Sequence, residues 1–492
     1  MRFRPNQPVL SLLISVMLTG CTVGPDYVRP QAPIPEEFKE LKGWKPAQPR
    51  DDSLSVGWWQ IFDDPRLHAL VEQVATANQS ILQAEAQYRQ AQHLVQGAQA
   101  AYLPIINTSL TASRFQAATG QNVAVTGVRN LFGQALGIAW EPDLWGGVSR
   151  QVEANTGNAQ ASAATVQAMR LSLQALLVDN YFQIRVLDAQ KAVLDETVKA
   201  YDKTLTITRN RYAVGVLAKT DVVQAESQLE TVRAQAIDLG VQRAKLEHAI
   251  AVLIGKPPAE LSITAESFSV EPPAIPISLP SELLERRPDI AAAERKMAAA
   301  NAQIGVAKAA YFPTLNLAAT NGFQSTTADT LFTMARRYWA LGPAGAALTL
   351  FDGGAKNAQY KQAIDAYDAS VAAYRQTLLN GFQEVEDNLA ATRILDQEKQ
   401  VRDKAVAAAK QALALTMNQY QAGTADYLNV MASQTVALNN QLAAAQLQGQ
   451  RFSASVQLIK ALGGGWRESQ LPTPEQADGE TQWTDYLIFP VE

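Results

Sequence analysis

The chain reads as a mainly α protein with a small β part, built from two tandem copies of one long-helix hairpin. Three observations predict this. First, landmarks recur in the same order. Ala101-Tyr102-Leu103-Pro104 returns as Ala310-Tyr311-Phe312-Pro313, Leu144-Trp145-Gly146-Gly147 as Phe351-Asp352-Gly353-Gly354, Arg211-Tyr212-Ala213-Val214-Gly215 as Gln419-Tyr420-Gln421-Ala422-Gly423, and Leu253-Ile254-Gly255 as Ala461-Leu462-Gly463. Their spacing of about 207 to 209 residues fixes a repeat roughly 200 residues long. Second, each copy holds a long proline-free stretch rich in Ala, Gln and Leu. Third, each holds short segments that alternate polar and apolar residues.

The elements follow in order. Met1 to Gly20 has Arg2 and Arg4, then an apolar stretch from Val9 to Leu18, too short to span a bilayer. Leu18-Thr19-Gly20 leads into Cys21, the only cysteine in the chain. That is the pattern in which a cysteine thiol is acylated after signal cleavage; the alternative is a chance cysteine behind an ordinary signal. Thr22, rather than Asp, follows it, so the expectation is a lipoprotein of the outer membrane of a Gram-negative cell. With one cysteine no internal disulfide forms, and a net charge of −5 argues against nucleic acid as a partner. An extended lipidated segment is expected over 21–64.

The first repeat is assigned to 65–261, with a helix over Pro65–Ala101 and strands near 104–116 and 130–141. After Pro104, Asn107, Ser109, Thr111 and Ser113 alternate with Ile106, Leu110 and Ala112. The second strand sets Phe132, Gln134, Leu136, Ile138 and Trp140 against a face of only Leu, Gly and Ala. The second repeat, 288–464, has a helix over Pro288–Ala310 and strands near 313–324 and 338–351. There Thr314, Asn316 and Thr320 alternate with Leu315, Leu317 and Ala319, while the stretch from Trp339 to Phe351 is less regular. Alternation over about ten residues suits a tilted outer-membrane strand, and Trp140, Trp339 and Phe351 stand where an aromatic girdle would. The strands alone leave open a small soluble sheet. Four membrane strands cannot close a barrel or leave an edge in lipid, so this reading requires several chains, with 8, 12 or 16 strands allowed.

The long helices are expected from Gly147 to about Tyr212 and from Gly354 to about Tyr420, each roughly 65 residues or about 100 Å. Turns at 213–219 and 421–427, marked by Gly215 and Gly423, send return helices to Gly255 and Gly463. So much Ala and Gln suits closely packed helices with one polar face on water. An ordinary coiled-coil rod is the alternative that the strands and paired turns disfavour. The linker 262–287, with Pro272, Pro273, Pro276 and Pro280, and the tail 465–492 are expected to wrap the helices in a belt. A search for chemistry finds little. His68, His93 and His248 are scattered, no nucleophile or phosphate motif is present, and Glu384 and Glu386 read as a solvated face. A cell-wall hydrolase is the enzyme alternative, and an envelope-structural lipoprotein or an exit duct for secreted protein are the others.

Cys21-Thr22-Val23-Gly24-Pro25-Asp26-Tyr27-Val28-Arg29-Pro30 resembles the mature start of outer-membrane efflux lipoproteins, the NodT-like branch of the TolC/OprM family. The stretch from Trp58 to Leu67 and Glu285-Arg286-Arg287-Pro288-Asp289-Ile290 are similar to further signatures of that branch. The resemblance covers essentially the whole mature chain. It implies a homotrimer whose 12-helix periplasmic α-barrel continues into a 12-stranded outer-membrane β-barrel, four strands per chain. It implies a passive exit duct for small toxic compounds, partnered by a periplasmic adaptor and an inner-membrane transporter of the proton-driven RND type. No cofactor is implied beyond the lipid on Cys21. It further implies adaptor contact at Gly215, Val216, Gly423 and Thr424, and a closed tip latched by a Thr-Asp pair on a Tyr and an Arg. Thr220, Asp221 and Tyr420 match three of those, while Ala425 stands at the arginine position. The family's acidic tip rings map onto Asn429 and Ala432, leaving Asp426 as the nearby carboxylate. An N-cap role for Asp221 is compatible with the latch.

Overall fold

The computed structural model describes residues 22–31, 34–35, 37–40, 57–116, 127–266, 271–273, 275 and 283–479. Cys21, the signal before it, Pro276, Pro280 and the last part of the tail lie outside these. Helices α1 (Pro65–Ala77) and α2 (Gln79–Gln99) lead into strands β1 (Ile105–Gln116) and β2 (Val128–Trp140), then the long α3 (Gly147–Ala213) and its return α4 (Lys219–Leu253). The second copy repeats the order: α5 (Pro288–Ala309), β3 (Thr314–Ser325), β4 (Arg337–Ala347), α6 (Ala355–Ala422) and α7 (Tyr427–Ala461). At 67 and 68 residues, α3 and α6 run the whole length of the helical part, about 100 Å.

The helices form a ribbon four columns wide. Toward the strands, α3 packs on α2 and α5, and α5 on α6; toward the turns, α3 packs on α4 and α7, and α7 on α6. The shorter helices stack end to end, α4 beneath α2 and α7 beneath α5. Each junction is a close backbone approach. A Cβ on Gly255 would stand 2.3 Å from the Ala77 carbonyl oxygen, and one on Gly463 would stand 1.9 Å from that of Arg286. Both glycines also adopt left-handed φ, +70° and +92°, closing their helix ends as only glycine does cheaply.

The helix expected over Pro65–Ala101 is broken at Asn78, and the junction explains why. Asn78 takes extended backbone, its side-chain oxygen accepts from the Ser80 and Ile81 N–H groups, and its amide donates to the Leu253 carbonyl at 2.8 Å. It caps one helix and ties down the end of another. The equivalent residue of the second copy is Arg287, whose buried guanidinium donates to the Ala461 carbonyl at 3.1 Å, to Glu384 and to both oxygens of Asp289. Glu384 is therefore an ion-pair partner rather than merely part of a solvated face. Around this level lies the main core, where Trp58, Trp59, Phe62, Phe182 and Phe452 pack together.

Candidate duct: membrane strands, anchor and tip

The sheet order is β1-β2-β3-β4, all antiparallel, which among the described residues leaves one edge of β1 and one edge of β4 free. Paired residues share a face, so the register sorts the side chains. One face carries Ile106, Leu110, Phe132, Leu136, Ile138, Trp140, Leu317, Phe323, Trp339 and Leu341. Its Gln134 donates to Thr108 Oγ1, so neither amide nor hydroxyl stands alone there. The other face carries Asn107, Ser109, Thr111, Gly133, Ala135, Gly137, Thr320 and Gly322. The glycines make room for polar neighbours: a Cβ on Gly137 would meet Asn107 Oδ1 at 2.6 Å. An apolar face and a small polar face are what a lipid-facing and water-facing wall require. From Ile105 to Ser113, β1 is uncharged over roughly 30 Å of strand, about 23 Å of height at a 40° tilt, close to the apolar band of an outer-membrane barrel. No described helix is long and apolar enough to cross a membrane.

The fourth strand ends at Ala347, short of the expected 351. Phe351 lies beyond it, 90 % exposed, and is not part of a strand girdle. Pro343 has no N–H to give the ladder, and the register shifts beside it, which an edge strand tolerates. Trp140 and Trp339 lie near opposite ends of the apolar face, and Trp140 donates its indole N–H to the Tyr102 carbonyl at 2.9 Å.

The segment after Cys21 is fastened at the junction of strands and helices. Val23 N–H bonds the Trp145 carbonyl at 3.1 Å, and a Cβ on Gly146 would meet the Thr22 Cα at 2.8 Å. Arg150, 5 % exposed, pairs with Asp26 at 2.8 Å, Asn301 donates to the Pro25 carbonyl, and Tyr27 donates to Glu294 at 2.6 Å. Burial first, then the Glu294 bond, pushes the Tyr27 hydroxyl well above the ordinary tyrosine range. Residue 22 thus sits where the apolar band begins.

At the other end, the two turns are built alike. The N–H groups of Gly215 and Val216 return to Tyr212 and Arg211, and those of Gly423 and Thr424 to Tyr420 and Gln419, each glycine at φ +79°. This is the 6→1 closure of a Schellman end. Val214, Val216, Thr220, Thr424, Asp426 and Asn429 are exposed. Behind them, Tyr201, Leu205, Leu229, Tyr420, Tyr427 and Val430 form a local core. Burial, then the fields of Tyr201, Tyr420 and Asp221, push Tyr427 up to about 12.

The structure rearranges the expected latch. Tyr420 is fully buried, and its hydroxyl meets Thr208 Oγ1 at 2.8 Å rather than Thr220 or Asp221. Asp221 lies in the first turn of α4 and is not its cap; that residue is Ala218, without a side-chain bond. Asp426 is the cap residue of α7, also without one. Ala425 offers no cation there, and the cation beside Tyr420 comes from the first hairpin. The Arg211 guanidinium lies 4.8 Å from the Tyr420 ring centroid and donates to the Gln421 carbonyl at 2.7 Å. In the sequence, Arg211 served only as a repeat landmark. No sequence signal singles it out, because Tyr212 and its counterpart Tyr420 look alike in sequence and part only in burial, 45 % against 0 % exposed.

An open sheet with one apolar and one polar face, set on a ribbon of helices about 100 Å long, defines a subunit of a membrane-spanning duct. Among the described residues, no cluster could hold a metal ion. The family model for outer membrane efflux proteins matches residues 70–256 and 279–464, and the chain belongs to that family. The probable efflux pump outer membrane protein TtgC of Pseudomonas putida KT2440 is 30 % identical, over 97 % of this chain and 99 % of its own length. The pyoverdine export outer membrane protein OpmQ of Pseudomonas aeruginosa is 31 % identical, over 94 % of this chain and 98 % of its own. Among solved structures, the outer-membrane channel OprN superposes with a TM-score of 0.84 at 30 % identity, covering 91 % of this chain and all of that one. The protein is an outer-membrane efflux channel, a duct rather than an enzyme.

Proposed function

We propose that three copies close into one continuous tube of twelve strands and twelve helical columns. The tube takes small toxic amphiphiles from a periplasmic adaptor and a proton-driven RND transporter to the exterior. The observation that carries this is the pair of unsatisfied edges on each layer. Among the described residues, the outer edges of β1 and β4 have no partner strand, and α6 flanks the ribbon on one side as α2 and α4 do on the other. Unpaired strand edges are not tolerated in hydrocarbon, so a ring of copies supplies the missing partners. Exposed aliphatic residues support the same seam: Val223, Ile237 and Val241 on α4, and Ile394, Val401 and Leu415 at heptad multiples on α6. Twelve columns about 10 Å apart make a ring roughly 38 Å across, wide enough for solutes of drug size.

The lipid on Cys21 would enter the inner leaflet, because Thr22 is held at the base of the strands. The tip would be the gate, held by Tyr420, Thr208 and Arg211, with Thr220, Asp221, Asp426 and Asn429 around its mouth. Gly215, Val216, Gly423 and Thr424 would meet the adaptor. Relatives named for toluene and antibiotic efflux support small amphiphiles as cargo. In-cell photo-crosslinking from Val216 and Thr424 tests the assembly. Adaptor caught at both turns is expected, and adducts only to peptidoglycan-linked proteins would favour an envelope-structural role. Cys21→Ser should abolish labelling by a palmitate analogue, and persistent labelling would refute the anchor.

A further inference from the structure

All the charge of the sheet region is gathered at one end. From Ile105 to Trp140 the charged side chains are Arg114 and Arg129; from Thr314 to Ala347 they are Asp329, Arg336 and Arg337. Each of the four arginines lies at the end of the strands remote from the helices, so four cations face one carboxylate there. None forms an ion pair among the described residues; Arg337 only donates to Asn321 Oδ1, at 3.3 Å. At an outer-membrane strand end, so much uncompensated positive charge makes a local field that attracts an anion.

The register says where that anion lies. Arg114 is opposite Asn130, two residues from Phe132, and Arg337 is opposite Phe323. Both therefore belong to the apolar, lipid-facing wall, whereas Arg129, opposite Phe115, belongs to the polar wall. Arg336 precedes Arg337 in the exposed turn Met334–Arg336. Arg114 and Arg337 also occupy the two free edges. In a closed ring, β4 of one copy lies beside β1 of the next, bringing Arg336 and Arg337 onto the same seam as Arg114, at the same end. The sheet contains no lysine, and the guanidinium fork is the group that grips phosphate oxygens in pairs.

We propose that this distal arginine rim binds the phosphate groups of an anionic lipid in the outer leaflet, one seat at each seam. The seam location rests on the ring reading above; the choice of lipid phosphate rests on the face and the charge. The lipid would also cover the apolar side chains of Trp339 and Leu341, which are 69 % and 81 % exposed.

Native mass spectrometry of the full chain in detergent, with lipid A carrying two phosphates, reads assembly and lipid adducts in one spectrum. A trimer retaining lipid A is expected. Arg114→Gln with Arg337→Gln should weaken retention roughly tenfold or more, while Arg129→Gln leaves it unchanged. Arg114→Lys with Arg337→Lys should fall between, and covers the case in which the neutral variant does not assemble. Dephosphorylated lipid should bind the native protein as poorly as the double variant binds lipid A. Equal retention by native and double-variant protein, or retention without phosphates, overturns the proposal. Full displacement by inorganic phosphate at equal concentration makes it a free-anion site and also overturns it. Phosphate- and arginine-dependent lipid on a monomer would keep the seat and remove the ring instead.

Discussion

The tip contacts give the sharpest prediction. Tyr420 on the second hairpin meets Thr208 and Arg211 on the first, so these contacts break if the hairpins separate. Tyr420→Phe keeps the ring in its buried site and removes one neutral hydrogen bond. Thr208 is not orphaned, because its hydroxyl still reaches the Thr204 carbonyl at 2.9 Å. The cost is therefore about 1 kcal/mol per copy. Arg211→Ala removes a part-exposed cation–π contact of roughly 0.5–1 kcal/mol. It also removes the bond to the Gln421 carbonyl, worth about 1 kcal/mol at this part-exposed site. If three tips open together, the single tyrosine change shifts the open-to-closed ratio by about 3 kcal/mol, roughly 100-fold. The double change shifts it by about 8 kcal/mol on the same reckoning. Single-channel recording in planar bilayers should show a graded rise in conductance or open time: native, then Tyr420→Phe, then the double variant. Native conductance in the double variant, with assembly intact by native mass spectrometry, would remove the clasp from the gate.

Three further outcomes are expected. Gly463→Ala forces a left-handed φ of +92° and a Cβ 1.9 Å from the Arg286 oxygen, so it should destabilise by ~3 kcal/mol or more in thermal unfolding. Gly215→Ala, with φ +79° and nothing within 4 Å, should cost only about 1 kcal/mol; equal losses would show the stacked junction to be soft. Tyr181 is pushed up to about 12 from 10.0, chiefly by burial and then by its bond to Asp64. A raised folded value means its contribution is complete below pH 10 and lost as pH rises toward 12, about 2–3 kcal/mol in all; Tyr181→Phe should flatten the alkaline arm of a stability–pH curve, and an unchanged arm would exclude it. Val401→Asp or Ile237→Asp should convert the native mass spectrum from trimer toward monomer, whereas a persistent trimer would take α4 and α6 off the seam.

Sequence alone determined the duplication, the long helices, the turns and the strand faces, because each is written in local periodicity or in glycine and proline placement. Gly215 and Gly423 mark turns wherever they are packed, and period-2 alternation fixes a face before any partner strand is known. It did not show that Asn78 breaks a helix. At that break Asn78 caps the following helix and gives its amide to the Leu253 carbonyl, far away in the chain. Nor did it reveal that Arg287 is the counterpart of Asn78. An amide and a guanidinium share no sequence pattern, and both simply bond the last turn of a helix stacked below. The family resemblance placed Tyr420 at the gate, but its partners, Thr208 and Arg211, come from helix packing. The same is true of the arginine rim. Arg114 and Arg337 lie far apart in sequence, and only the strand register puts both on one apolar face at one end. Local chemistry is carried by neighbours along the chain, whereas partners across it are chosen by which surfaces the packed helices and paired strands bring together.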